Sequence, residues 1–189
     1  MSNLPDVDID VADRDKLLKL FSNWTSARLE DDRPHNTGVY FTDIPYDALN
    51  NTTTFNYKEA EELGYFKLDI LNVSVYQLVN NYEHLEEMLN VEPPWHRLWT
   101  DEEYTSKIIH IGSYYNLLKQ MKPDTVERMA MFLAVIRPSK KHLIGKDWKE
   151  IAKTIWDKPV DDSYYFKKAH SVSYAHLVKL HMNLIHFLN

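Results

Sequence analysis

Asp6, Asp8 and Asp10 alternate with Val7, Ile9 and Val11 in the stretch Pro5-Asp6-Val7-Asp8-Ile9-Asp10-Val11. A period of two is the signature of a half-buried strand, with carboxylates on one face and apolar side chains on the other. Like charges side by side on a strand repel, so such a row calls for a neutralising cation. Ligands that are all oxygen suit Mg²⁺ or Mn²⁺ rather than zinc. An acidic surface strand is the bland alternative, since D-x-D is short and matches often. A second segment, Tyr65-Phe66-Lys67-Leu68-Asp69-Ile70-Leu71, has the same period, with Lys67 and Asp69 on one side and Phe66, Leu68 and Ile70 on the other. If the two strands are neighbours, Asp8, Asp10 and Asp69 form the carboxylate set that a two-metal phosphoryl-transfer site uses. Lys67 then has two readings, a phosphate contact or an ion-pair partner of a carboxylate.

The elements that would position these residues follow from punctuation in the sequence. Asp13 is an expected N-cap for a helix carrying Leu17, Leu18, Phe21 and Trp24 on one side. Gly38 opens an expected strand over 39–42, ended by Pro45, and a short helix over 59–63 stops at Gly64. Ser74 is expected to cap a helix running to about Asn90. Further helices are expected over 114–122, 125–136, 148–156 and 172–188, separated by Pro123, Pro138 and Pro159. The layout is α+β, a small mixed sheet early in the chain packed with several helices. The expectation is a single domain over 1–189.

Composition bounds the function. The chain has 189 residues, 44% of them hydrophobic and 13% aromatic, enough for a real core. It has no cysteine, which excludes disulfides and thiolate metal sites and makes the cytoplasm the simplest compartment. No apolar run reaches the roughly 18 residues that span a bilayer, and no signal sequence opens the chain. A net charge of −6 argues against a freestanding nucleic-acid binder. The charge is uneven, with nine Lys/Arg against five Asp/Glu between Arg137 and Lys168.

Five blocks, in order, resemble the palm region of the bacterial replicative DNA polymerase III α subunit, the C family of DNA polymerases. Pro5 to Val11 followed by Asp13-Arg14-Asp15 resembles its P-D-[FV]-D-I-D-[FV] block and following Arg-Asp helix. Pro34-His35-Asn36-Thr37-Gly38-Val39-Tyr40 resembles K-H-x-x-G-V-V. Thr54-Phe55-Asn56 with Gly64 to Leu71 resembles Q-F-D followed by G-L-x-K-x-D-x-L-G, with the Phe-to-Gly spacing kept. Met121 to Pro138 resembles the family helix that ends in R-P, and Tyr164 to Ala175 resembles Y-G-F-N-K-[SA]-H-[SA]-x-x-Y-A.

The resemblance implies a shortened palm with a nucleotidyltransferase-like fold, in which 139–163 is a remnant of the fingers insertion. It implies that Asp8, Asp10 and Asp69 are catalytic and hold two Mg²⁺ (or Mn²⁺) ions. Lys67, Arg137, Lys167, Lys168 and His170 fall where the family lines the path of nucleotide, primer and template. The implied activity is DNA-directed DNA polymerisation, transfer from a dNTP to the 3′-OH of a primer-template. Departures qualify this. The expected glycine-serine motif before Pro5 has no counterpart, most of the fingers are missing, and Asn72 replaces a family glycine. They imply that a partner polypeptide from a replication complex completes the site, and so compact a version suggests a phage genome acting in a bacterial host. The alternative is a catalytically inert palm-derived protein, a replisome-interacting module or decoy. A third reading is a small nucleotidyltransferase acting on something other than a primer end.

Other residues are read as structural. Trp95 and Trp99 are expected to pack, unless an exposed patch there meets a protein. His35 and His170 read as partly buried histidines or as polar contacts near DNA. His176, His181 and His186 are spaced too widely for a helical metal pair.

Overall fold

The structure, a computed structural model, describes residues 7–158 and 166–188. Pro5, Asp6, Tyr164, Tyr165 and the end of the 139–163 segment, all used above, lie outside the described residues. The fold is α+β, and the chain gathers into two compact units, 1–78 and 79–189.

The first unit is built on a six-stranded mixed sheet. β1 (Val7–Val11) is followed by a short helix α1 (Arg14–Leu18), whose N-cap Asp13 accepts from the Lys16 amide at 3.0 Å. β2 (Thr25–Arg28) and β3 (Pro34–Tyr40) form an antiparallel pair with a register shift between Ser26 and Arg28. Two short strands, β4 (Tyr46–Asp47) and β5 (Thr52–Thr53), precede helix α2 (Tyr57–Glu62). A reciprocal capping box joins Asn56 and Glu59 at the start of α2, and Gly64 takes φ of +86° just past its end. β6 (Leu68–Asn72) closes the unit with a 3₁₀ turn over Ser74–Leu78. The strand order is β1-β6-β3-β2-β5-β4, with β1 and β6 parallel and β6 antiparallel to β3.

Each face of the sheet has its own small core. Leu18, Val39 and Ile70 are buried together with Val11, Leu17, Trp24, Phe41 and Leu68 against them, under α1. On the opposite face Ala27, Tyr40, Ile44 and Ala60 are buried, with Phe55 and Tyr65, under α2.

The second unit is helical: α3 (Tyr82–Asn90), α4 (Arg97–Thr100), α5 (Glu102–Ser106), α6 (Tyr115–Met121), α7 (Val126–Val135), α8 (Trp148–Thr154) and α9 (Lys168–Leu188). Every residue of α7 from Met129 to Val135 is buried, as expected of a helix that is apolar on all sides. It packs on α9, where Ser171 Oγ donates to the Ala130 carbonyl at 2.6 Å. Tyr104 Oη reaches the Met182 carbonyl at 2.8 Å. Asn183, fully buried, donates through Nδ2 to the carbonyls of Met88 at 2.7 Å and Val91 at 2.9 Å, satisfying the C-terminal turn of α3. No helix among the described residues is long and apolar enough to cross a membrane.

Several expected boundaries moved. The helix expected from Ser74 to Asn90 is a 3₁₀ turn and a separate α3, because Asn81 caps a new start by accepting from the His84 amide at 2.8 Å. The helix after Asp13 ends at Leu18, so Phe21 and Trp24 belong to the connection into β2, a strand not anticipated. Trp95 is buried and Trp99 packs against the same core, as expected.

Candidate functional site

β1 and β6 run side by side in register, with Asp8 opposite Asp69 and Asp10 opposite Leu71. Paired residues of parallel neighbours point to the same side of a sheet, and residues two apart on a strand share that side. Asp8, Asp10 and Asp69 therefore occupy one face. It is the α2 face, because Asp69 is also paired with Gly38, two residues from the α2-facing Tyr40.

The three carboxylates differ in environment. Asp8 is exposed and Asp10 half-buried; burial and the Asp8 charge hold the Asp10 carboxyl above the usual carboxylate range. Tyr76, in the turn after β6, is half-buried and its phenol is pushed up by burial and then by the Asp10 charge. Asp69 is buried, at 8% exposure, and both of its oxygens are engaged. Thr37 Oγ1 donates to Oδ1 at 2.8 Å, and the Lys67 ammonium forms a short ion pair with Oδ2. Lys67 thus stands as an ion-pair partner here, one of the two roles its position allows.

Gly38 makes this arrangement possible. A Cβ at that position would lie 2.9 Å from Lys67 Cδ, 3.0 Å from Ala27 Cβ and 3.2 Å from His35 Cγ. The His35 ring folds back over Gly38, with Nδ1 3.0 Å from the Gly38 amide nitrogen, 3.3 Å from that of Thr37 and 3.8 Å from Asp69 Oδ1. Burial, opposed by the Asp69 charge and aided by Lys67 and Arg14, keeps His35 below its ordinary pKa.

The C-terminal ends of β1 and β6 are tied together beside this face. Val73 N donates to the Val11 carbonyl at 2.7 Å, Arg14 N to Asn72 Oδ1 at 3.2 Å, and Gln77 Nε2 to the Ala12 carbonyl at 2.9 Å. Asn72, which replaces the glycine of the resemblance, thereby anchors the start of α1.

The remaining candidates lie in the second unit. Arg137 follows α7, its guanidinium 4.5 Å over the Phe166 ring and its Nε buried with no hydrogen-bond partner among the described residues. Lys168 opens α9 with its ammonium 5.9 Å over the Trp156 ring. Lys167 is exposed and His170 half-buried.

An oxygen-only donor set fits Mg²⁺ or Mn²⁺; the Asp10 carboxyl is raised first by its burial and second by the Asp8 charge beside it. As the side chains stand, no group of three His, Asp or Glu among the described residues converges to hold an ion. Asp69 is turned instead to Lys67 and Thr37. Sequence reasoning missed Thr37, whose position between His35 and Gly38 gave the only hint, and Tyr76, for which the sequence offered none.

No protein-family model and no curated protein sequence matches the chain.

Proposed function

We propose that the protein is a metal-dependent DNA nucleotidyltransferase, a minimal polymerase palm that transfers a nucleotide from a dNTP to a primer 3′-OH. The observation that carries this reading is the in-register pairing of Asp8 with Asp69, with Asp10 on the same face. Asp8, Asp10 and Asp69 would hold two Mg²⁺ or Mn²⁺ ions. Such ions, when bound, lower the pKa of an attacking hydroxyl and neutralise a departing pyrophosphate. In the transfer the 3′-oxygen bonds to the α-phosphorus, pyrophosphate leaves, and the hydroxyl proton is lost to solvent. Lys67 serves as the counter-ion of Asp69 in the free protein, and the substrate's phosphates compete for it. Arg137, Lys167, Lys168 and His170 are proposed to contact nucleotide or template. A partner chain from a replication complex contributes to the grip on the triphosphate, and the compartment is the cytoplasm of a bacterial host.

Calorimetry with Mg²⁺ and Mn²⁺ tests the ligands, and extension of a labelled primer-template, with and without replication proteins, tests the chemistry. Asp8→Asn and Asp69→Asn should each abolish cation binding and extension. Absence of cation binding by the unaltered protein would sink the proposal.

A second reading, an inert palm-derived interaction module, is favoured by one observation: Asp69 is already satisfied by Lys67 and Thr37. It predicts a stable protein partner whose capture is unchanged by Asp8→Asn and Asp69→Asn, together with no turnover.

A further inference from the structure

A cleft of about 500 Å³ lies across the sheet from the carboxylates, lined by 22–25, 42–46 and Asn51. Its volume is within the range of small-molecule sites. The strand order puts β1 and β6 at one edge and β5 and β4 at the other, and no described residue of β1 or β6 lines the cleft. Its walls are held by bonds to the sheet. Thr53 Oγ1 and the Thr54 amide donate to the Pro45 carbonyl at 3.1 and 3.0 Å. Asn51 Nδ2 donates to the Trp24 carbonyl at 3.0 Å, and the Asn51 carbonyl accepts from Ser26 N at 2.9 Å. Ile44 is buried in the α2-face core.

The polar side chains of this lining are not spent on the protein. Those of Ser22, Asn23, Thr25, Thr42, Asp43 and Tyr46 have no hydrogen-bond or ion-pair partner among the described residues. Thr25 is the most constrained of them. It opens β2 opposite Tyr40 and is only 7% exposed. Its hydroxyl is nonetheless not among the sealed, unpaired atoms, so the little surface it keeps is turned to the cleft it lines. Buried hydroxyls ordinarily have a partner. This one takes its partner from what occupies the cleft.

The described lining holds no Lys, Arg or His, and its one charge is the Asp43 carboxylate, so it disfavours phosphate and other anions. Hydroxyls, amides and a carboxylate match neutral hydroxyls, each of which both donates and accepts. Tyr46 stands on the edge strand β4, 54% exposed, and leaves an aromatic face for an apolar C–H surface. A small molecule with a rim of hydroxyls and a flat C–H face is a pyranose sugar.

We infer that this cleft is a binding site for a neutral pyranoside, with Tyr46 against the sugar ring and Thr25 and Asp43 taking its hydroxyls. The inference is independent of the nucleotidyltransferase reading, since the two sites share no residue.

Methyl glycosides of glucose, galactose, mannose and N-acetylglucosamine, titrated into ¹⁵N-labelled full-length protein, test it. At least one should bind with a Kd on the order of 1 mM, as ligand efficiency allows for so small a molecule. The shifted amides should fall in 22–25 and 42–46. Thr25→Val keeps the shape and removes the hydroxyl, so it should weaken binding about tenfold and leave Tm unchanged or higher, because no bond within the protein is lost. Tyr46→Ala, at an exposed position, should weaken binding by about tenfold or more without a change in fold. Inorganic phosphate and thymidine should leave the same amides unmoved. Failure of every glycoside to shift these amides, or binding untouched by Tyr46→Ala and Thr25→Val, would overturn the inference. So would phosphate or thymidine seated in the cleft, or a marked loss of Tm in Thr25→Val, which would show that its hydroxyl serves the protein.

Discussion

Lys67 and His35 approach each other over the α-carbon of Gly38, where a methyl group would sit 2.9 Å from the stem of one and 3.2 Å from the ring of the other. The lysine stem can swing aside, but Ala27 Cβ at 3.0 Å is fixed to its strand. Gly38→Ala should therefore cost about 1–3 kcal/mol of stability in urea unfolding, the range for overpacking. It should also displace the His35 resonances.

Tyr40 is fully buried, and its hydroxyl has no partner among the described residues. Burial, then the Asp69 and Glu61 charges, push its phenol up to about 12. An unpaired buried hydroxyl is a cost, so Tyr40→Phe should leave stability unchanged or raise it by about 1 kcal/mol. A loss of more than that would show that the hydroxyl has a partner.

Asp10 titrates in the opposite sense to a paired carboxylate. Its folded pKa is raised, so the native state holds the proton more tightly than the unfolded chain. That contribution is present at low pH and disappears as pH rises from the unfolded value of about 3.8 through the folded pKa. Asp10→Asn removes the repulsion with Asp8 and should raise Tm at pH 7 by about 1–2 °C. The difference should vanish near pH 3, and saturating Mg²⁺ should reverse it if the unaltered protein binds the ion.

Lys67 and Asp69 are both mostly buried, with side chains 20% and 12% exposed. Removing one partner leaves the other charge uncompensated. Lys67→Met should cost about 2–4 kcal/mol, and a cycle with Asp69→Asn should show coupling of at least about 1 kcal/mol. Additive effects would mean that solvent already screens the pair.

In the helical unit, Asn183 joins the end of α3 to α9 through two carbonyls. Asn183→Leu should destabilise by about 2–3 kcal/mol in urea unfolding, because the Met88 and Val91 carbonyls lose their shared donor. A smaller effect would indicate that water replaces it.

Alternation along 7–11 and 65–71 was legible as two strands and put Asp8 and Asp10 on one face; that Asp69 joins them depends on the register of β1 against β6, which the sequence left as a condition. Asp13 and Gly64 announced a helix start and a helix stop for the same local reason. The start of α2 could have been read as well, since Asn56 and Glu59 have the spacing of a capping box. β2 could not: Thr25-Ser26-Ala27-Arg28 has no apolar alternation, and its pairing with β3 and β5 decides its conformation. The Lys67 ion pair also escaped the sequence, which allowed that lysine either a ligand or a neighbour. Side-chain direction on one strand leaves that choice to the next, here through Thr37 and Gly38.

β1 opens the described chain and lies at the outer edge of the sheet, and among the described residues its one strand partner is β6, which closes the unit. Fifty-six residues of intervening chain, 12–67, must be ordered or looped out before the two can meet, a closure whose entropic cost delays contacts this distant in sequence. During synthesis, Asp8 and Asp69 therefore stay apart until nearly the whole unit has left the ribosome. Electrostatic crowding at this edge is postponed to the last step of sheet assembly, when the other strands already hold their neighbours.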